Sequence, residues 1–267
     1  SLSGTVTISA GSMSASFTIT PTADSLNEGL EGIKVSVFDG SLKSIGSSEA
    51  LISNTASTAS STTTLTATAD VIAAGAGDDS ITGIIQATMA NAATTVNAGD
   101  VIDGGAGSDT LKISATGADG DANQTLSALE TTNVETISVN NFATGTGTHI
   151  IDGLLMSGLT SVGLNASNAT GDTSFTNLTN LVDVFMMNGA ASLSVGYGAT
   201  VVAGVTDVQN VTLSGVTNDT TNLTIAGVET LNVTTSGTKS ALNSIVAANT
   251  TTLNISGDQN LAITTVP

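Results

Sequence analysis

Residues 97–113 read NAGDVIDGGAGSDTLKI, and residues 67–83 read ATADVIAAGAGDDSITG. The two stretches carry one text in register. Asp70 aligns with Asp100, Gly75 with Gly105, Gly77 with Gly107, Asp79 with Asp109 and Ile81 with Leu111. Both reduce to D-x-I-x-x-G-x-G-x-D-x-[IL], an acidic glycine-rich turn between two short apolar runs. GGAGSDTLK at 104–112 fits the nonapeptide G-G-x-G-x-D-x-U-x of β-helical repeats, where U is a large aliphatic residue. AGAGDDSIT at 74–82 fits it with Ala74 in the first glycine position. Glycine admits backbone conformations closed to other residues, so such a turn can aim carbonyl oxygens inward. Aspartate adds a hard anionic oxygen at short reach, and the aliphatic residue two positions on enters a coil interior. Loops of this kind stacked on one another would surround a cation with six or more oxygens, a donor set suited to Ca²⁺. A chain with no Cys and one His lacks the ligands of a zinc site.

The composition surrounding these blocks is that of strands. Aromatic residues make up 2% and charged residues 10% of the 267 positions, yet hydrophobic residues reach 40%. That hydrophobic content is too high for disorder. The scarcity of Lys, Glu and Arg removes the usual surface of a soluble helix, and the β-branched residues between polar turns favour strands. The chain is therefore expected to be all-β. Four basic against 22 acidic residues give a net charge of −18, which opposes binding to nucleic acid or to an anionic membrane. No apolar run approaches the roughly eighteen residues of a membrane-spanning segment. The opening SLSGTVTIS starts in mid-strand without Met and reads as the interior of a longer chain.

Three zones follow from the text. In 116–267 a looser unit, Φ-x-x-Φ-x-Φ with Φ apolar, recurs as VETISV (134–139), LTSVGL (159–164), LVDVFM (181–186), VQNVTL (208–213) and VETLNV (228–233). TTTLNI at 250–255 repeats it with Thr250 in the first slot. Most copies follow a second short strand, as NLTIAG precedes VETLNV and ATVVAG precedes VTDVQNV. Recurrence at intervals of 20–50 residues signals a solenoid, here a parallel β-helix with Asn or Thr ladders between coils. A meandering β-sandwich is the alternative. The middle zone, 56–115, holds the two blocks behind a Ser/Thr-rich connector, STASSTTTLTATAD. The first zone, 1–55, alternates apolar and polar residues in TVTISAG, SASFTIT and IKVSVFDG around the acidic turn PTADSLNEGLEG. It resembles the later half of a Calx-β sandwich repeat. An incomplete sandwich exposes sheet edges that recruit partners.

The paired blocks resemble the RTX repeats of bacterial proteins exported by type I secretion. The resemblance implies Ca²⁺ held between successive loops by the carboxylates of Asp79 and Asp109, aided by Asp70 and Asp100. Backbone carbonyls of Ala74, Gly75 and Gly77, and of Gly104, Gly105 and Gly107, would complete the shell. There are two blocks, a 15-residue insert (84–98) separates them, and Ala74 replaces one glycine, so few ions are expected. The fold class expected is all-β: a partial Calx-β-like sandwich, RTX-type calcium-binding turns, then an irregular parallel β-solenoid. The order of these parts is similar to that of RTX-bearing S-layer proteins. That resemblance implies a secreted, self-assembling subunit at a bacterial cell surface. Its coils would close when extracellular Ca²⁺ neutralises the acidic loops, its partners would be copies of itself, and surface polysaccharide is a possible anchor. An RTX adhesin, or a subunit of an extracellular matrix filament, is the alternative.

No catalytic constellation stands out. His149 lies in GTGTHIIDG near Asp152 and reads as an exposed loop residue at a strand start. The acids of 116–267 (Asp119, Asp121, Glu130, Glu135, Asp183, Asp207, Asp219 and Glu229) are scattered, with neither an arginine cluster nor aromatic platforms for a sugar. The reading is a non-enzyme. A secreted β-helical enzyme would need a catalytic domain elsewhere.

Overall fold

The computed structural model of the chain describes residues 6–7, 30–38, 41, 44–53, 59–86, 93–118, 122–217 and 220–267. The chain divides into two compact units, with the boundary between Ala56 and Ser57. In the first unit, Leu30–Phe38 pairs antiparallel with Ser44–Ser53. The strands expected at TVTISAG and SASFTIT lie outside the described residues.

The second unit is a parallel β-solenoid, and no described residue is helical. Its long sheet has nine strands. They are Thr62–Thr64, Ser80–Gln86, Thr110–Ala118, Thr136–Thr144, Ser161–Ser167, Asp183–Met187, Val208–Ser214, Thr230–Thr235 and Thr252–Gly257. A second sheet stacks Gln124–Leu126, His149–Asp152, Thr173–Leu178, Leu193–Tyr197, Asn222–Ile225, Ser240–Val246 and Leu261–Thr265. A short third sheet joins Val71–Ala73, Val101–Asp103 and Glu130–Thr132, extended by a bridge from Thr131 to Met156. Among the described residues, the third sheet serves the coils up to Met156 and the second sheet those from Gln124 on, so the coils from Ser161 onward have two faces. The strand Thr110–Ala118 runs through residue 115, so the glycine-rich blocks and the irregular coils belong to one solenoid. The Ser/Thr-rich connector is not merely a linker. Its Thr62–Thr64 forms the first rung, and Leu65 enters the core at 2% exposure.

The core follows from the period of two. Ile81, Leu111, Ile137, Val162, Val184, Val211 and Val233 form one in-register column, each 0–1% exposed. Every coil contributes its apolar face to the next, so burial accumulates by nearest-neighbour contact. On the outer face, a side-chain ladder runs from Asn254 to Asn232 to Asn210 to Asp183, with amide-to-oxygen distances of 2.9, 3.0 and 3.1 Å.

The six recurrent units all fall on consecutive long-sheet strands, with one register difference. Val208 pairs with Thr230 and Val211 with Val233, so the copy at 208–213 sits two residues away from the alignment its text suggests. Val208 is accordingly 46% exposed, and Gln209, 1% exposed, takes the inward slot beside Leu231. There its amide donates to Val182 O at 2.6 Å, and the Tyr197 hydroxyl bonds its carbonyl oxygen. ATVVAG is a turn; the second-sheet strand before it is Leu193–Tyr197.

Candidate metal centre

The two blocks stack directly. Val71 pairs with Val101 and Ser80 with Thr110, each thirty residues apart, so the insert between them completes one coil. Each block runs from the short sheet, through its glycine-rich turn, into the long sheet. Residues 130–139 form the next coil on the same two sheets, in register with Val101–Asp103 and Thr110–Ala118. That coil crosses the corner in three residues, Asn133–Glu135, where the block below uses six, Gly104–Asp109. Sequence reasoning placed Glu135 among scattered acids. Aligning DTLKI (109–113) with ETISV (135–139) shows that the two acids occupy one corner.

The carboxylates of this corner form a column that tacks successive coils together. Asp79 Oδ1 accepts the Ser61 N–H at 2.6 Å and its Oδ2 accepts the Gly75 N–H at 2.9 Å. Asp109 Oδ1 accepts the Asp79 N–H at 2.7 Å, and Glu135 Oε2 accepts the Asp109 N–H at 2.7 Å. At the other end of the short strands, Asp100 accepts the N–H groups of Asp70 (2.9 Å) and Asn97 (2.7 Å). Asp70 in turn accepts from the Thr66 N–H and hydroxyl. Charge-assisted bonds of this type are the stronger kind. They give the repeated aspartates a structural use, because each satisfies a corner amide that the ladders leave over.

The glycines make room. A Cβ on Gly104 would lie 1.9 Å from Asn133 O, one on Gly105 2.0 Å from Gly75 O, and one on Gly107 2.5 Å from Gly77 O. The carbonyl of Gly75 accepts the Ala106 N–H at 3.0 Å, and Ala74 N–H donates to Asp103 O at 2.8 Å. Glycine backbones of one block therefore lie against carbonyls of the next coil.

Among the described residues of these coils, three buried side-chain oxygens have no hydrogen-bond partner: the hydroxyls of Ser80 and Thr131 and one carboxylate oxygen, that of Asp109. Asp109 is 1% exposed, and its Oδ2 has no hydrogen-bond partner. Burial pushes its carboxyl above the usual range against the bond from the Asp79 N–H, and the charges of Glu135, Asp79 and Asp78 push the same way. Burial likewise raises Asp100, with the Asp70 charge adding to it. For Asp79 burial also pushes upward, but bonds from Ser61 and Gly75 outweigh it and the carboxyl lies below its usual value. A buried carboxylate oxygen without a donor, among other acids, fits a hard cation as its missing partner. Among the described residues, no three acidic or histidine side chains converge as a ready metal cluster. A site here would draw on one or two carboxylates, backbone carbonyls and water.

These directions set the acid response of calcium-free protein. Asp100 and Asp109 bind protons more tightly folded than unfolded, so their contribution to stability is present below the ordinary Asp range near about pH 4 and is lost as pH rises through their raised values. Asp79 does the opposite: its contribution is present above that range and disappears as pH falls through its lowered value. Urea midpoints measured without calcium are expected to peak on the acid side of neutral. A midpoint that falls throughout as the pH is lowered from neutral would contradict this account.

His149 is not exposed, contrary to the expectation from its sequence. It starts the strand His149–Asp152 but is 2% exposed inside the solenoid, its Nδ1 3.3 Å from the Asn141 amide nitrogen. Because that nitrogen only donates, Nδ1 is the acceptor. Asp152 instead bonds Leu154 N–H and the Asn177 amide, outside any triad. Compared with protein-family models, curated proteins and solved structures, the chain matches none. No helix among the described residues is long and apolar enough to cross a membrane.

Proposed function

We propose that this chain is a structural subunit of a bacterial cell-surface coat, an S-layer lattice, whose folding and assembly depend on Ca²⁺. The observation that carries the reading is the buried, unpartnered Oδ2 of Asp109 in a corner already holding Asp78, Asp79 and Glu135. Stacked like charges destabilise a sheet, and a chain of net charge −18 has four cationic side chains to offset them. Calcium, when bound, supplies the missing positive charge. The residues that would hold it are Asp109 and Asp79, with the carbonyls of the glycine-rich turns beside them and Asp70 and Asp100 at the other end of the blocks. These residues lie in the stack where closing one coil on the next brings the acids together. Metal affinity is thereby coupled to folding. Secretion, the cell-surface location and the self-association of folded subunits rest on the resemblance to RTX-bearing S-layer proteins.

The test is the state of assembly with and without calcium. In millimolar Ca²⁺ the purified protein is expected to form ordered arrays visible by negative stain, and excess EGTA is expected to disperse them. Sheets with two-dimensional order support the lattice, one-dimensional fibres would move the reading to a matrix filament, and a calcium-stabilised monomer would move it to an adhesin. Arrays that persist unchanged in EGTA would remove calcium from the mechanism.

A further inference from the structure

Sequence repeats place the cation between the two glycine-rich blocks. The geometry points to a different neighbour for Asp109. We propose that Asp109 and Glu135 together seat a divalent cation at the corner where the second block meets the glycine-free turn Asn133–Glu135 of the coil after it. Glu135 is half-buried, lies outside the glycine-rich blocks, and sits directly over Asp109 in the stack. One of its oxygens is occupied by the Asp109 N–H. The Oδ2 of Asp109 and the carbonyl of Asn133 face the same spot beside Gly104, where a Cβ would lie 2.6 Å from the first and 1.9 Å from the second. Gly104 is itself buried, so the spot is enclosed by backbone. A carboxylate oxygen that is buried, unpartnered and beside a carbonyl is a pair of hard donors with no hydrogen between them. The second anion, Glu135, gives the corner the charge that a divalent ion would balance, with water filling the remaining positions.

The arrangement recurs where no glycine-rich block exists. Glu229 Oε2 accepts the Asp207 N–H at 2.9 Å, as Glu135 accepts that of Asp109. Asp207 Oδ2 is also buried without a partner, and Gly204 stands beside that carboxylate, its Cβ position 3.0 and 3.1 Å from the two oxygens. In both places the following coil donates two amides to the carbonyl of the Asp: Glu135 and Thr136 to Asp109, Glu229 and Thr230 to Asp207. Thr160 and Thr251 then end each acidic run, each donating its hydroxyl to the carbonyl of the glutamate below. The acid pair is thus a corner design of this solenoid rather than a by-product of the repeat.

The proposal rests on the calcium-dependent reading above, and one set of measurements separates the two. Thermal midpoints of the full chain are recorded against CaCl₂ concentration for wild type, for Glu135→Gln, and for the double change Asp79→Asn with Asp100→Asn. Glutamine keeps an oxygen to accept the Asp109 N–H, so the fold is retained. Without calcium, Glu135→Gln is expected to melt no lower than wild type, because a repulsive charge is gone. Its calcium midpoint is expected to rise by about tenfold or more, since ligand charge tunes such sites over decades. The double change should leave a calcium response at the Asp109–Glu135 corner. A wild-type midpoint indifferent to calcium overturns both readings. A wild-type response that Glu135→Gln leaves unchanged overturns this corner alone. A variant destabilised equally with and without calcium also overturns it, since Glu135 would then act only as a backbone acceptor.

Discussion

Gly105→Ala is expected to lower the stability of the solenoid by about 3 kcal/mol or more. Two costs add at this position. The residue has φ +87°, a left-handed conformation that costs an L-residue roughly 1–2 kcal/mol. Its new methyl would also lie 2.0 Å from Gly75 O, closer than any carbon–oxygen contact allows. The carbonyl cannot retreat cheaply, because it accepts the Ala106 N–H and is held in the stack. Gly99→Ala separates the two costs. Gly99 has φ +94°, but its nearest neighbour would be Ala69 Cβ at an ordinary 3.8 Å, so that change is expected to cost only the roughly 1–2 kcal/mol of strain. Urea unfolding of both variants in the same calcium-free buffer reads the difference. Equal losses would mean that the Gly75 carbonyl and the turn above it are not packed as described.

The same glycines show how the metal reading and the packing reading of the blocks relate. From the sequence, glycine is a device for turning carbonyls toward an ion. In the stack, the carbonyls of Gly75, Gly77 and Asn133 are directed at the glycine backbones of the neighbouring coil. The aspartates likewise cap corner amides at 2.6–2.9 Å. The two uses are compatible, since a carboxylate oxygen can accept an N–H and face a cation. The coils are therefore joined by these hydrogen bonds, and calcium would add the balance of charge.

Much of the fold was legible, for a physical reason. A parallel stack repeats one inward-facing pattern per coil, so Φ-x-x-Φ-x-Φ exposed the long sheet strand after strand. What it concealed follows from the same periodicity. A slip of two residues keeps every side chain on its original face, so the placement of VQNVTL over VETLNV could not be decided from its pattern. The decision belongs to Gln209, a polar residue in an apolar slot that reaches Val182 O and Tyr197. The second sheet was fainter because small polar residues fill part of its interior: Thr173, Ser240 and Ser244 are all buried. Glu135 is not legible as a site residue because its corner, Asn133–Glu135, has no glycine, so its text does not resemble the blocks below. Its partnership with Asp109 depends on coil-to-coil register.

The interior amide of Asn141 gives the second large effect. Asn141 is 0% exposed on the strand Thr136–Thr144, beside a register shift between Val139 and Asn140. Its Nδ2 faces Thr173 Oγ1 at 3.1 Å, Asp172 O at 3.2 Å and His149 Nδ1 at 3.3 Å, and its Oδ1 accepts the Ala143 N–H at 3.2 Å. Two hydrogens cannot serve three acceptors linearly, so the amide is shared among three coil segments. Removing it by Asn141→Ala leaves buried acceptors and a buried N–H in need of partners, each at about 1–3 kcal/mol, together with a cavity in a closely packed core. The expected total is about 2–3 kcal/mol, because the Thr173 hydroxyl keeps the bond it already donates to Gly171 O at 3.5 Å. His149→Gln is expected to cost less, since glutamine can still accept from Asn141. The ordering has a structural consequence that amide exchange can read. In a nearest-neighbour solenoid, a defect opens the coils on either side of it before distant ones. Loss of protection in Asn141→Ala is therefore expected to centre on 136–178 and to leave the rungs at 230–257 largely protected. Uniform loss along the chain would show that the solenoid unfolds as one cooperative block, and that Asn141 stabilises all of it equally.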